Sequence, residues 1–321
     1  MNNSLTNKDQ GDEPQTTQKV TNDEIDFREL FGAIWQGRWI IITVASLFTV
    51  LSIIYAINQP DIYKSEALLA PAEQEGSGGL AGLAGQFGSL ASLAGVNLGG
   101  GSSNKAQLAI HAFKSREFTS DFIQKHNILA DLMATESWDM QTNTMIYDAE
   151  LYDAQNNKWV REAKAPFKPK PSAQEAYKKF SKILSASTDK ETGMVTISVE
   201  HLSPYVAQQW VEWLIQDINK TMKQRDVLEA TKSNDFLTKQ LKKTPIADIR
   251  AVLYKLIEEQ TKTIMFANVR DEYVFKTIDP ALPPEEKEGP KRALICIFGL
   301  LMGITLGFLI VSIKHALTKR A

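Results

Sequence analysis

The sequence predicts an α+β membrane protein: two transmembrane helices flank an α/β base domain from which a long helical hairpin projects. Three observations carry this fold class. Residues 39–57 (WIIITVASLFTVLSIIYAI) and 293–313 (ALICIFGLLMGITLGFLIVSI) hold no charge over 19 and 21 positions, and a bilayer core of about 30 Å takes roughly 20 apolar residues as helix. Short segments just after the first run and just before the second have the patterning of strands. Between them, residues 205–244 contain neither Gly nor Pro, which predicts a helix of about 38 residues and roughly 57 Å, well beyond the usual globular length.

Residues 1–38 hold seven acidic and four basic side chains. They lack the short basic start and small-residue cleavage site of a signal peptide, so residues 39–57 read as an uncleaved anchor. Residues 1–22 are polar and read as a disordered tail. Residues 22–39 carry Ile25, Leu30, Ile34 and Trp35 at mostly helical spacing, either as an amphipathic helix on the inner membrane face or as a continuation of the span. Arg38, Lys314, Lys319 and Arg320 flank the two spans. Positive flanks place residues 1–38 and 314–321 in the cytoplasm, although Lys291 and Arg292 weigh against this. Residues 58–292 then lie outside it.

DIYKSEALLAPA suits a strand ending at Pro71. Residues 76–103 are rich in Gly, Leu and Ala with Leu80, Leu83, Phe87 and Leu90 at helical spacing. They read as an apolar loop or as a segment packing on a neighbouring subunit or on the membrane. Residues 103–133 predict a helix or helix pair with Leu108, Ala112, Phe118, Phe122 and Ile123 as its apolar stripe. Residues 145–163 predict a hairpin turning at Asn156-Asn157, and Ser172 starts a further helix. GMVTISVE alternates, with Val195, Ile197 and Val199 on one face. Pro204 suits the first position of the long helix. After a turn at residues 241–248, Ile249, Leu253, Leu256, Gln260, Thr263 and Ala267 step by 4, 3, 4, 3 and 4, a coiled-coil-like seam. The two helices make an antiparallel arm over about residues 204–270. DEYVFKTID returns as a strand with Tyr273, Phe275 and Thr277 on one face, and it pairs with the strand that follows the first span.

A net charge of −2 without a basic stripe excludes the usual nucleic-acid binder. Cys296 is the single cysteine and lies within the second apolar run, so neither an intrachain disulfide nor a cysteine-rich zinc site can form. His111, His126, His201 and His315 show no metal or triad spacing, and no cofactor fingerprint is present. Paired acidic residues such as Glu258-Glu259 read as a solvated face, since helical neighbours do not face each other. Three groups remain as candidate sites. Gly299, Gly303 and Gly307 stand four apart in the second span, a spacing that lets helix backbones approach closely in lipid, within the chain or between subunits. Pro280, Pro283, Pro284 and Pro290 form a collar before it; proline fixes φ, so the collar holds the domain at a set angle over its helix. Trp138, Tyr147, Tyr152 and Trp159 are candidate glycan or partner contacts or a locally packed hairpin, because aromatic faces with polar handles suit contact surfaces.

FANVRDEYVFKTIDPALPPEEKEGPKRALICIFGLLMGITLGFLIV closely resembles the C-terminal signature of the Wzz chain-length-determinant family, a proline-rich segment running into a glycine-containing second span. GMVTISVEHLSPYVAQQWVEWLIQDIN and DIYKSEALLAP resemble its central strand and helix start and its first periplasmic strand. The resemblance covers roughly residues 25–315. It implies a bacterial inner-membrane protein with a periplasmic α/β domain, a projecting arm, cytoplasmic termini and a ring-like homo-oligomer. It also implies control of surface-polysaccharide length, commonly O antigen of lipopolysaccharide. The partner is the membrane polymerase, and the growing lipid-linked glycan is a further candidate. The family is not known for enzymatic activity, and no cofactor is implied. Eight residues follow the second span, which resembles the kinase-free type. The main alternative is a membrane adaptor for polysaccharide export or for activating a separate tyrosine kinase.

Overall fold

The computed structural model describes residue 35 and residues 37–72 and 102–320. The amphipathic segment before the first span lies mostly outside the described residues, as does the Gly/Leu/Ala-rich segment up to residue 101. The chain divides into two units, one containing the apolar helices (residues 1–56 with 293–321) and one spanning residues 57–292.

In the first unit, α1 (Arg38–Asn58) and the N-terminal part of α8 (Arg292–Arg320) are long and apolar enough to cross a membrane. Ile42, Leu47, Ile54, Phe298, Leu301 and Leu309 are exposed along them. A surface of that size and apolarity is untenable in water and normal in lipid.

The second unit is built on a four-stranded antiparallel sheet in the order β6-β7-β1-β8. Its strands are β1 (Tyr63–Pro71), β6 (Leu184–Thr188), β7 (Val195–His201) and β8 (Phe275–Asp279). β1 pairs with β7 from Tyr63↔His201 to Leu69↔Val195, and with β8 across a bulge between Leu68 and Leu69. The two strands nearest the apolar helices in sequence are thus neighbours, as their patterning predicts. Tyr63, Ser65, Ala67 and Leu69 alternate inward on β1, matched by Val195, Ile197, Val199 and His201 on β7. Ser198 is buried as well, so β7 is sheltered on both faces rather than on one.

Helices α2 (Ser102–Phe113), α3 (Arg116–Lys125), α4 (Leu129–Ala134) and α5 (Ala173–Ile183) complete the core with Phe113, Phe118, Phe122, Leu132 and Phe180. The expected helix pair is three helices. Ser115 caps α3, and Asn127 at φ 53° allows the chain to turn after it. Leu108 is exposed; Ala106, Ala109 and Phe113 carry the inward stripe of α2 instead. Ser172 and Glu175 form a reciprocal capping box at the start of α5. Two small hairpins lie between α4 and α5. β2 (Thr135–Asp139) pairs with β3 (Thr144–Tyr147), and β4 (Tyr152–Asp153) pairs with β5 (Lys158–Trp159). The second turns at Asn156-Asn157 with Asn157 at φ 49°. Met145–Tyr147, expected within this hairpin, pair with β2 instead.

α6 (Pro204–Lys243) has 40 residues, with Ser203 as its N-cap and Pro204 in its first turn. Its first half buries Trp210, Val211, Leu214, Ile218 and Met222 in the base, and its outer half buries only Ala230 and Leu237. α7 (Ala247–Val269) completes the hairpin. Of the six expected seam positions of α7, Leu253, Gln260, Thr263 and Ala267 are sheltered, with Ile257 and Ile264 beside them; Ile249 and Leu256 are exposed. A single partner helix covers only a narrow heptad seam, so the flank carrying Ile249 and Leu256 is left outside.

Candidate functional site

The three glycines of α8 all face α1. An ideal Cβ on Gly299 would lie 2.5 Å from Ser52 Cβ, one on Gly303 2.8 Å from Ala45 Cα, and one on Gly307 2.9 Å from Ile41 Cα. At Gly303 and Gly307 the obstacle is backbone, which cannot swing aside as a side chain can. Within the first unit the two helices therefore approach along a line where no side chain other than hydrogen fits.

The proline segment is fastened at several points. Ala281 is buried, and its carbonyl accepts from Gln208 Nε2 at 3.2 Å. The Ser65 hydroxyl of β1 donates to the Leu282 carbonyl at 2.8 Å. Ile62 and Gly289 form an isolated bridge, with the Ile62 amide donating to the Gly289 carbonyl at 2.8 Å. Asp61 receives Lys287 at 3.1 Å and Arg292 at 2.9 Å. Pro283, Pro284 and Pro290 are half-buried within this strap, and Pro280 is exposed. The segment is thus fastened to residues 59–65 and to α6. Asp61, Ser65 and Gln208 were not singled out in the sequence, because their role depends on partners more than 70 positions away.

The four aromatic candidates do not form one surface. Tyr147 and Tyr152 meet at 5.6 Å, and Tyr152 and Trp159 at 5.0 Å between ring centroids. Trp138 belongs elsewhere. It stands opposite Met145 in the β2–β3 hairpin, meets Tyr63 at 5.7 Å and Tyr205 at 6.1 Å, and donates its indole N–H to Asn143 Oδ1 at 2.9 Å.

Buried polar groups lock the base together. Asn219 of α6 is 4 % exposed; its Oδ1 accepts from the Val274 and Phe275 amides at 2.8 and 3.0 Å, and its Nδ2 donates to the Phe275 carbonyl at 3.1 Å. Asp217 lies between Lys125 and His126, with His126 Nε2 at 2.9 Å, and the His126 ring stacks on Trp213 at 4.2 Å. Tyr147 donates to Asp131 Oδ1 at 2.6 Å. Burial raises the Asp131 carboxyl against the lowering effect of that hydrogen bond, and burial followed by the Asp131 hydrogen bond raises the Tyr147 hydroxyl. Among the described residues no group of three or more His, Cys, Asp or Glu side chains is arranged to hold a metal ion.

Among the described residues, the His201 imidazole is strongly shifted. It is 7 % exposed; its Nδ1 accepts from the Ser203 amide at 3.1 Å, and its Nε2 lies 3.3 Å from the Asp131 carbonyl. This pairing assigns the proton to Nε2. Burial pulls its pKa down to about 4, outweighing the two backbone hydrogen bonds. The unfolded imidazole takes up its proton first, near pH 6.5, so stability is lost as pH falls from about 6.5 to about 4. The loss at the acid end should be up to about 3 kcal/mol. Thermal unfolding of wild type and His201→Asn across this range should converge toward pH 4. Parallel curves would exclude His201 as the source.

Residues 23–126 match the family model Wzz, chain length determinant protein. The tyrosine-protein kinase etk of Escherichia coli strain K12 is 32 % identical over 73 residues, which is 23 % of this chain and 10 % of the relative. The same figures hold for the etk of E. coli O157:H7. The chain thus spans about a tenth of the length of these curated relatives. Among solved structures, a full-length bacterial polysaccharide co-polymerase matches with a TM-score of 0.38 and 13 % identity, over 91 % of this chain and 98 % of that one. A fragment of WzzB, a polysaccharide co-polymerase from Salmonella Typhimurium, matches with a TM-score of 0.30 and 13 % identity, over 72 % of this chain and all of that one. The family match falls on the N-terminal third, whereas the resemblance read from the sequence was most specific in the C-terminal third. Over residues 23–126, about a third of its length, the chain is similar to the Wzz chain length determinant family.

Proposed function

We propose that this chain is a non-enzymatic regulator of surface-polysaccharide chain length, acting on O antigen of lipopolysaccharide. In this reading it is a two-pass protein of the bacterial inner membrane with residues 58–292 in the periplasm and both ends in the cytoplasm. It assembles as a ring-like homo-oligomer and serves the membrane polymerase as a scaffold. The observation that carries the reading is the family match over residues 23–126. The strap of residues 281–292, fastened to residues 59–65, supports it mechanically, since it ties together the two segments that lead to the apolar helices. The glycine and proline positions then act by holding the subunit in one shape.

A second reading has its own observation. The curated relatives are tyrosine-protein kinases matched over a short segment, which favours an adaptor for polysaccharide export or for a separate kinase. A gel of surface lipopolysaccharide from a deletion strain separates the two. Under the regulator reading, a clustered band of chain lengths collapses to an unregulated ladder and returns when the gene is restored. Restoration with Pro280, Pro283, Pro284 and Pro290 replaced by Ser or Gly should return a shifted or broader distribution. A ladder that deletion leaves unchanged overturns the reading and moves the adaptor to the front.

A further inference from the structure

The tip of the β2–β3 hairpin and the first turns of α6 enclose a cleft of about 430 Å³, within the size range of small-ligand sites. Its wall is made by Asn143, Met145, Tyr205, Gln208, Gln209 and Glu212. Tyr205 is 50 % exposed, and its ring neighbour is Trp138. Trp138 is itself backed by the buried Tyr63, and Asn143 Oδ1 holds its indole N–H at 2.9 Å. The aromatic wall is therefore held in place from behind, and Tyr205 is the part of it that solvent reaches.

The polar groups are mostly amides. Gln208 Nε2 is engaged by Glu212 Oε1 at 3.0 Å and by the Ala281 carbonyl at 3.2 Å, which orients both side chains at the rim. Gln209 is exposed, and among the described residues no hydrogen bond is recorded for its amide or for the Asn143 Nδ2 group. The cleft thus presents amide donors, amide acceptors and one carboxylate beside an aromatic face. No Lys, Arg or His lines it. Sugar hydroxyls both donate and accept, and the C–H face of a pyranose is flat and apolar, so an amide-rich rim beside a half-exposed tyrosine suits them. The carboxylate and the lack of a cation disfavour uronic acids and other anionic sugars.

We infer that this cleft is a binding site for a neutral or amine-bearing sugar unit of a polysaccharide chain. The inference rests on the chain-length reading only for what the ligand is in the cell. It places the contact on Tyr205, Gln209, Glu212 and Asn143, away from the Tyr147–Tyr152–Trp159 group.

The test uses the full chain in detergent micelles and three probes: lipid-free surface polysaccharide released from the same cells, dextran as a neutral glycan and polygalacturonate as an acidic one. Saturation-transfer NMR and calorimetric titration read the binding. Wild type should bind the cell's own polysaccharide saturably and more tightly than polygalacturonate. Tyr205→Ala should weaken it roughly tenfold, as loss of one aromatic contact of about 1.5 kcal/mol does. The double variant Gln209→Ala/Glu212→Ala, which changes two exposed side chains, should weaken it comparably, whereas Trp159→Ala should not. No saturable binding by wild type, preference for polygalacturonate, or wild-type affinity in both cleft variants would each overturn the site. The lipopolysaccharide gel of the deletion strain stays separate: loss of length control with no glycan binding removes the cleft and keeps the regulator, and the converse removes the regulator and keeps the cleft.

Discussion

Asn219→Leu should destabilise the 57–292 domain by about 3–5 kcal/mol, because three buried backbone groups lose their partner at once and each costs about 1–3 kcal/mol when unsatisfied. Asn219 is the link between the middle of α6 and the start of β8: it holds the Val274 and Phe275 amides and the Phe275 carbonyl. Leucine has a similar size, so the loss reports hydrogen bonding rather than a cavity. Against a typical total of about 5–15 kcal/mol, a change of this size leaves the domain marginal. Asn219→Asp keeps the acceptor for both amides and loses only the donor, and it buries a charge as well, so its cost separates the two contributions. Chemical unfolding of the full chain, followed by near-UV circular dichroism, gives the difference. A loss below about 1 kcal/mol for the leucine variant would mean that water takes over all three groups.

Gly303→Leu should force α1 and α8 apart and carry the largest cost of any single change in the apolar helices. A Cβ at this position would meet Ala45 Cα at 2.8 Å and Phe48 Cβ at 3.0 Å, so even alanine overlaps the backbone of α1. Overpacking of a fitted contact costs about 1–3 kcal/mol, and in lipid there is no hydrophobic drive to hold the pair against it. The expected order is Gly303→Leu worse than Gly303→Ala, with Leu301→Ala near wild type because Leu301 is 51 % exposed. Thermal stability of the detergent-solubilised chain measures the cost, and the surface-polysaccharide profile of the restored strain reads the consequence. If Gly303→Leu behaves like Leu301→Ala in both, the close approach of the two helices contributes nothing.

Much of the architecture was legible from local pattern. Ser172 with Glu175, Ser203 with Pro204, Asn157 in its hairpin and the alternation of Val195, Ile197 and Val199 each announce an element boundary or a face. Their physics is confined to one turn of helix or one strand, so adjacent residues suffice to read it. The α7 seam was less legible. Leu253, Gln260, Thr263 and Ala267 are sheltered as the steps predict, but the partner helix covers Ile257 rather than Ile249 and Leu256. The apolar stripe of α2 shifted for the same reason: Ala106 and Ala109 are buried because α2 lies against the base, which their small side chains do not announce.

The candidate sites divide in the same way. Glycine spacing and proline clustering are properties of the sequence alone, since each residue type acts through its own backbone, and the length and apolarity of the two terminal helices are likewise written in composition. What Trp138 touches was decided by tertiary structure: strand register set it opposite Met145 and turned it to Tyr63 and Tyr205, away from the aromatic residues that follow it in the chain. Asn219, Asp61 and Ser65 acquire their roles only when residues 55 to 231 positions apart are brought together. Local sequence determines how backbone and periodicity behave within a few residues, whereas hydrogen bonds between distant segments depend on the packing of the whole sheet and its helices.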